Sequence, residues 1–238
     1  MEVSHHAHSH QSAKNWKSYV GEFLMLFLAV FSGFIAENLR ESYVEKEKAH
    51  EYISSMISDL QKDTLQLEQT IRVNRKLIKG IDSLLHYLKA PASDVVIKKI
   101  YVYGSSIGAS ILFEGENGTI TQLKNAGGLR LIKDTASVNR ISAYDQLTEL
   151  TKKQGDAYYR STLELLNLLE QLLDFSAAVN PSPSTIFYLN RDPEKLRLFY
   201  NKSYIQKQII TGYCAFLVLQ KKEAINDIAL LRKNYHIN

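Results

Sequence analysis

The chain predicts an all-α protein in which one N-terminal transmembrane helix continues into an up-and-down bundle of long helices. Three observations carry this. Only four prolines and eleven glycines punctuate 238 residues, so long helices are expected. An unbroken apolar run occupies residues 23–36. From Ile53 onward, core-type positions recur in alternating steps of four and three through five heptads, a coiled-coil-type pattern.

Residues 1–18 form a short His-rich tail. His5, His6, His8 and His10 offer imidazole nitrogens to a divalent transition metal. The alternative is a tail without fixed geometry. The run is interrupted, unlike an expression tag, and is read as native.

Residues 19–39 are read as a transmembrane signal-anchor. At 1.5 Å per residue they span about 30 Å, the thickness of a bilayer core. Trp16 and Tyr19 precede the run and Tyr43 follows it, which places amphipathic rings at both interfaces. Glu22 and Glu37 bracket the run and mark its depth limits, with Glu22 at the headgroups or paired with a neighbouring helix. A cleaved signal peptide is the competing reading, with Lys14 and Lys17 as its basic region and Val30-Phe31-Ser32 as a weak cleavage site. The helix-forming sequence ENLRESYVEKEKAHEY continues past the run and favours retention. Ala29, Gly33 and Ala36, with Ser32 beside them, are small residues whose spacing allows a second helix to approach closely. Basic residues nearly balance across the span; a short leading tail favours a cytoplasmic N-terminus and an extracytoplasmic C-terminal domain.

Residues 40–238 are read as the bundle. The seam comprises Ile53, Ile57, Leu60, Thr64, Leu67, Ile71, Asn74, Ile78, Ile81, Leu85 and Leu88 and stops before Pro91. The helix carrying it is about 45 residues long, near 65 Å. Asn74 either sets the register of association or meets a polar group elsewhere in the same chain. A second helix is expected from Ser93-Asp94 through Phe113, although its β-branched and tyrosine content also suits a strand. GENG at 115–118 is a turn. Thr121 is expected to cap a short helix that Gly127 or Gly128 ends in a left-handed conformation, with Leu129, Leu131 and Ile132 docking it. A long helical pattern covers residues 137–175 and NPSPS at 180–184 breaks it. The last helix opens at Asp192-Pro193-Glu194, with a kink or restart expected near Asn201, and continues to Arg232.

Three pieces carry a family resemblance: MEVSHHAHSH with YVGEFLMLFLAVFSGFIAENLRE, then EYISSMISDLQKDT, then TITQLKNAGGLRLIKD. The chain resembles an uncharacterised family of bacterial single-span inner-membrane proteins that join a His-rich or basic tail to a helical extracytoplasmic domain. The pieces cover about a quarter of the chain. The resemblance implies this architecture, an inner-membrane location and a periplasmic bundle, and transfers no catalytic residue.

Chemistry is sparse. No phosphate-binding loop, dinucleotide fingerprint, nucleophile elbow or metalloprotease motif is present. No enzyme activity and no cofactor are expected. Twenty-nine basic residues face 25 acidic ones, the lysines fall in scattered pairs, and a nucleic-acid partner is not expected. Cys214, the single cysteine, lies on an apolar helix and reads as a buried thiol. Lys124, Gly128 and Arg130 form the one candidate ligand or partner site, beside a purely structural reading of the same turn. The expected function is protein–protein interaction, as a scaffold or accessory subunit of an envelope complex. The partners are the lipid bilayer and either a second copy or a membrane protein. The alternatives are a small-molecule sensor domain and metal binding by the tail.

Overall fold

A computed structural model describes residues 16–178, 185 and 187–237 and divides between Lys48 and Ala49 into two units. The histidine tail and the NPSPS break lie outside the described residues. Among the described residues there are five α-helices: α1 (Trp16–Leu88), α2 (Asp94–Ser106), α3 (Gly118–Asn125), α4 (Thr135–Leu169) and α5 (Pro193–Tyr235). Among the described residues there is no strand, only an isolated bridge between Leu173 and Leu189.

In the first unit the early turns of α1 are long and apolar enough to cross a membrane, and none of the most apolar window is buried. Phe23, Phe27 and Phe31 stack in sequence along one side, with centroids 6.3 and 5.8 Å apart. Arg40 forks onto both carboxylate oxygens of Glu37 at 2.9 and 2.6 Å.

The second unit is an up-down-up-down bundle whose second leg is broken. Side-chain bridges give the directions. Lys221 meets Glu68 and Lys207 meets Asp82, so α5 runs antiparallel to α1. Arg140 meets Asp227 and Lys202 meets Glu164, so α5 is antiparallel to α4 as well. Between α1 and α4 the chain descends. Tyr103 stacks on Tyr87, Ile111 C=O accepts from Asn74 Nδ2 at 2.9 Å, and the N–H groups of Glu116 and Thr119 donate to Asp63 and Asp59.

That descending leg corrects the expectation of one helix to Phe113. α2 stops at Ser106, and an irregular stretch follows before α3. Gly104 is buried, and a Cβ there would lie 3.2 Å from Leu169 Cδ1, so helix and leg meet closely at this point. Backbone groups no longer satisfied by a helix are taken up by side chains instead: Asn74, Asp63 and Tyr213, whose hydroxyl accepts from Phe113 N–H at 2.7 Å. Three further boundaries differ. α3 begins at Gly118 after Asn117, and Thr121 lies exposed within it rather than capping it. α4 ends at Leu169, because the following turn buries Leu172 and Leu173 and its Leu172 carbonyl accepts from Asn190 N–H. α5 passes Asn201 without a break. Its start is as expected: Asp192 accepts from the N–H groups of Glu194 and Lys195, and Pro193 follows.

The seam of α1 is consumed inside the chain. Among its positions only Thr64, Ile78 and Leu88 are not buried. Met56, Asp63, Thr70, Leu77 and Leu84 are buried as well, one per heptad beside the seam. Three inward positions per heptad make the wide stripe of a bundle helix rather than the narrow seam of a two-stranded coil. Asn74 donates to the carbonyls of Thr70 and Ile111, so its partner belongs to the same chain.

Candidate functional site

The bundle leaves one face of the α1/α5 pair open as a groove of about 650 Å³. Its floor is Ile71, Val218 and Ile225, of which Val218 and Ile225 are 44% and 51% exposed. The rims are basic. Arg72, Arg75, Lys76 and Lys79 line the α1 side at helical spacing, and Lys221 and Lys222 line the α5 side. Six cations face one carboxylate, Glu68, an excess of five in a chain whose formal net charge is only +4.

Two ion pairs between α1 and α5 stitch the helices together, Lys221–Glu68 at 3.2 Å and Lys207–Asp82 at 2.6 Å. Arg72, Arg75, Lys76 and Lys79, which lie between them on α1, and Lys222 beside Lys221 make no ion pair among the described residues. Cys214 lies buried near the positive charge of Arg75; burial raises its pKa, and the arginine opposes that only in part. An inert buried thiol is the result. Like charges at i, i+3 and i+4 repel and cost a few tenths of a kcal/mol per pair. A ridge of four cations on one helical face is therefore locally unfavourable until something anionic covers it.

A second depression, of about 480 Å³, follows the broken leg against α4 and has the opposite sign. Glu114, Glu116, Asp145, Glu149 and Asp156 line it with Lys152. Beneath it Asp63 is 1% exposed and accepts from Glu116 N–H at 2.8 Å and from the Tyr144 hydroxyl at 2.7 Å. Burial raises the Asp63 pKa against those two hydrogen bonds, and burial with the adjacent carboxylate holds Tyr144 far above the ordinary phenol range. This network is structural, because one Asp63 oxygen is spent on fixing the leg and the other on Tyr144 of α4. On the other side of Tyr144, Arg140 bridges Asp227 at 2.5 Å and Glu223 at 2.6 Å, and burial pushes Asp227 up to about 6.

The residues singled out from the sequence are placed as follows. Lys124 pairs with Asp145 at 2.9 Å, which raises its pKa. Gly128 is buried, and a Cβ there would sit 3.1 Å from both Leu123 and Tyr52. Gly127 takes the left-handed conformation, with φ of 64°, and Arg130 is exposed. Leu129 and Ile132 pack in the lower core. Glu22, Ala29, Gly33 and Ala36 are exposed on α1, and an added Cβ at Gly33 would meet nothing within 4 Å. No cluster of three or more His, Cys, Asp or Glu able to hold a metal ion occurs among the described residues, and His5, His6, His8 and His10 fall outside them.

Sequence reasoning missed the groove. Its signal is present in TIRVNRKLIKG, where basic residues recur at i, i+3, i+4 and i+7 beside the seam, but the second rim lies some 145 residues further on and only the fold brings Lys221 and Lys222 opposite. No protein-family model, curated protein or solved structure matches the chain.

Proposed function

We propose that the protein is a membrane-anchored helical bundle that acts by binding a protein partner, as an accessory subunit or scaffold of a bacterial envelope complex. The observation that carries this reading is the α1/α5 groove, where unpaired cations surround a half-exposed apolar floor. Such a combination suits recognition, since apolar contact supplies affinity and charge supplies steering and register. The uninterrupted helix from Trp16 supports a retained anchor over a cleaved leader. The topology that goes with the reading is a cytoplasmic N-terminus and a periplasmic bundle in the inner membrane, within the family the sequence resembles.

Internal use of the α1 seam removes it as a surface for self-association and favours a heterologous partner. The test is cross-linking in cells, carbonate extraction of the membranes and purification through a tag placed after Asn238. A partner recovered at stoichiometric yield from the carbonate-resistant fraction is the expected result. A monomer in mild detergent with nothing cross-linked to it overturns the reading.

The groove's volume also falls in the range of small-molecule sites, which keeps an anionic-ligand sensor as the second reading. A thermal-shift screen of anionic metabolites tests it, and a flat response from folded protein counts against it.

A further inference from the structure

We infer that the occupant of the α1/α5 groove is an amphipathic helix of the partner protein, of about three turns or more, with an apolar stripe and an acidic flank turned toward α1. The inference rests on the proposed function and names the chemistry of its partner.

Length comes first. The α1 rim runs from Glu68 to Lys79, which is about 17 Å of helix axis, or three turns. An occupant helix matches that reach with apolar residues at i, i+3 or i+4, and i+7, the pattern of helix-in-groove recognition. Those side chains would lie over Ile71, Val218 and Ile225.

The charges then set sign and orientation. Four of the six cations stand on the α1 rim and two on the α5 rim, and Lys221 on that second rim already pairs with Glu68. The unpaired charge is therefore lopsided toward α1. An acidic partner gains most by turning its Asp and Glu flank to Arg72, Arg75, Lys76 and Lys79, whose spacing matches carboxylates at i, i+3/i+4 and i+7 of a helix alongside.

The shape of the groove favours a helix over the acyl chain of an anionic lipid. Every lining residue comes from α1 or α5, so the lining has two sides and the third faces solvent. An acyl chain laid there would keep much of its methylene surface in water. A helix brings its own third side, so its apolar stripe and the floor are buried together. A second copy of the chain is a weaker fit, because its acidic depression is divided between the irregular leg (Glu114, Glu116) and α4 (Asp145, Glu149, Asp156), a helix already packed in the bundle, rather than carried by one free helix.

The experiment uses the full-length protein in neutral phosphatidylcholine nanodiscs and three labelled sixteen-residue helical peptides. Two share one apolar stripe, with an acidic or a basic flank; the third keeps the acidic residues and has the stripe scrambled. Anisotropy is read at several salt concentrations. The acidic peptide is expected to bind at least tenfold more tightly than either control, with affinity falling as salt rises from about 0.05 to 0.5 M. R75E/K79E is expected to weaken binding at least tenfold. K76Q/K79Q/K222Q, which keeps exposed helical positions without reversing charge, provides the second variant should the first lose helicity by circular dichroism. Equal binding of the three peptides overturns the inference. So does groove-dependent binding of phosphatidylglycerol vesicles without peptide binding, or self-association abolished by R75E/K79E. Failure of the peptides while a partner still co-purifies from cells sinks this inference alone; failure of both sinks the proposed function too.

Discussion

Two tyrosines whose rings meet at a tilt in the bundle core lead to opposite predictions for the same substitution. Tyr158 and Tyr213 are 0% and 1% exposed, and their ring centroids lie 5.7 Å apart. Burial raises the pKa of both, Tyr213 to about 12, so both hydroxyls are protonated throughout the range of interest. Their hydrogen bonding differs. The Tyr213 hydroxyl accepts from Phe113 N–H at 2.7 Å and so holds the irregular part of the second leg, while the Tyr158 hydroxyl has no hydrogen-bond partner among the described residues. Tyr213→Phe strands a buried backbone N–H, at a cost of about 1–3 kcal/mol. Tyr158→Phe removes a polar atom that burial penalises, so it is neutral or stabilises by up to about 1 kcal/mol. For a bundle of this size each kcal/mol moves Tm by roughly 2–4 °C. Differential scanning calorimetry on the two variants should therefore show Tm falling by roughly 2–12 °C for Tyr213→Phe and unchanged or higher for Tyr158→Phe. The rings touch, so the double variant will not be strictly additive. Equal losses from both substitutions would refute the reasoning, since ring packing rather than hydrogen bonding would then decide the outcome.

Other outcomes follow from the same structure. Asp227, pushed up to about 6 mainly by burial, holds its proton more tightly folded than unfolded, so its contribution is fully present below about pH 4 and lost as pH rises toward 6. A displacement of about two pH units corresponds to roughly 3 kcal/mol. Urea titrations from pH 4 to 8 should show that decline in the wild type and a smaller one in Asp227→Asn, where Asp63, whose pKa burial also raises, still contributes. Gly127→Ala places a side chain at a φ of 64° and should cost about 1 kcal/mol, while Gly128→Ala puts a Cβ 3.1 Å from Leu123 and Tyr52 and should cost more by overpacking. Chemical denaturation of the pair ranks them, and the reverse order would contradict the assigned turn.

The helical class was legible because it depends on local chemistry: few breakers, a heptad pattern and an Asp192-Pro193 start. Boundaries failed where tertiary contacts override local preference. The helix expected to reach Phe113 stops at Ser106, since Asn74, Asp63 and Tyr213, 37 to 100 residues away, supply the hydrogen bonds that release the leg from helix. The wide stripe of α1 is only partly legible: Met56, Leu77 and Leu84 are apolar beside the seam, but Asp63 and Thr70, in the same heptad position, look like surface residues until their surroundings are placed. Asn74 shows the same limit in reverse: a seam asparagine signals a polar partner, and which chain supplies it is a matter of topology. The groove was half legible. Its α1 ridge lies within eight residues, but a pair of lysines on a distant helix carries no mark of what it will face.

The most direct test of the account is photo-cross-linking in living cells from a p-benzoylphenylalanine at Val218 on the groove floor, compared with one at Leu163 on α4. The two positions are 44% and 43% exposed, so exposure alone does not separate them. The account predicts a discrete membrane-fraction adduct from Val218 that is absent from Leu163 and lost on adding R75E/K79E, with the cross-linked peptide mapping to an acidic helical segment of another protein. Adducts of equal yield from both positions, or a Val218 adduct indifferent to the charge reversal, would contradict it.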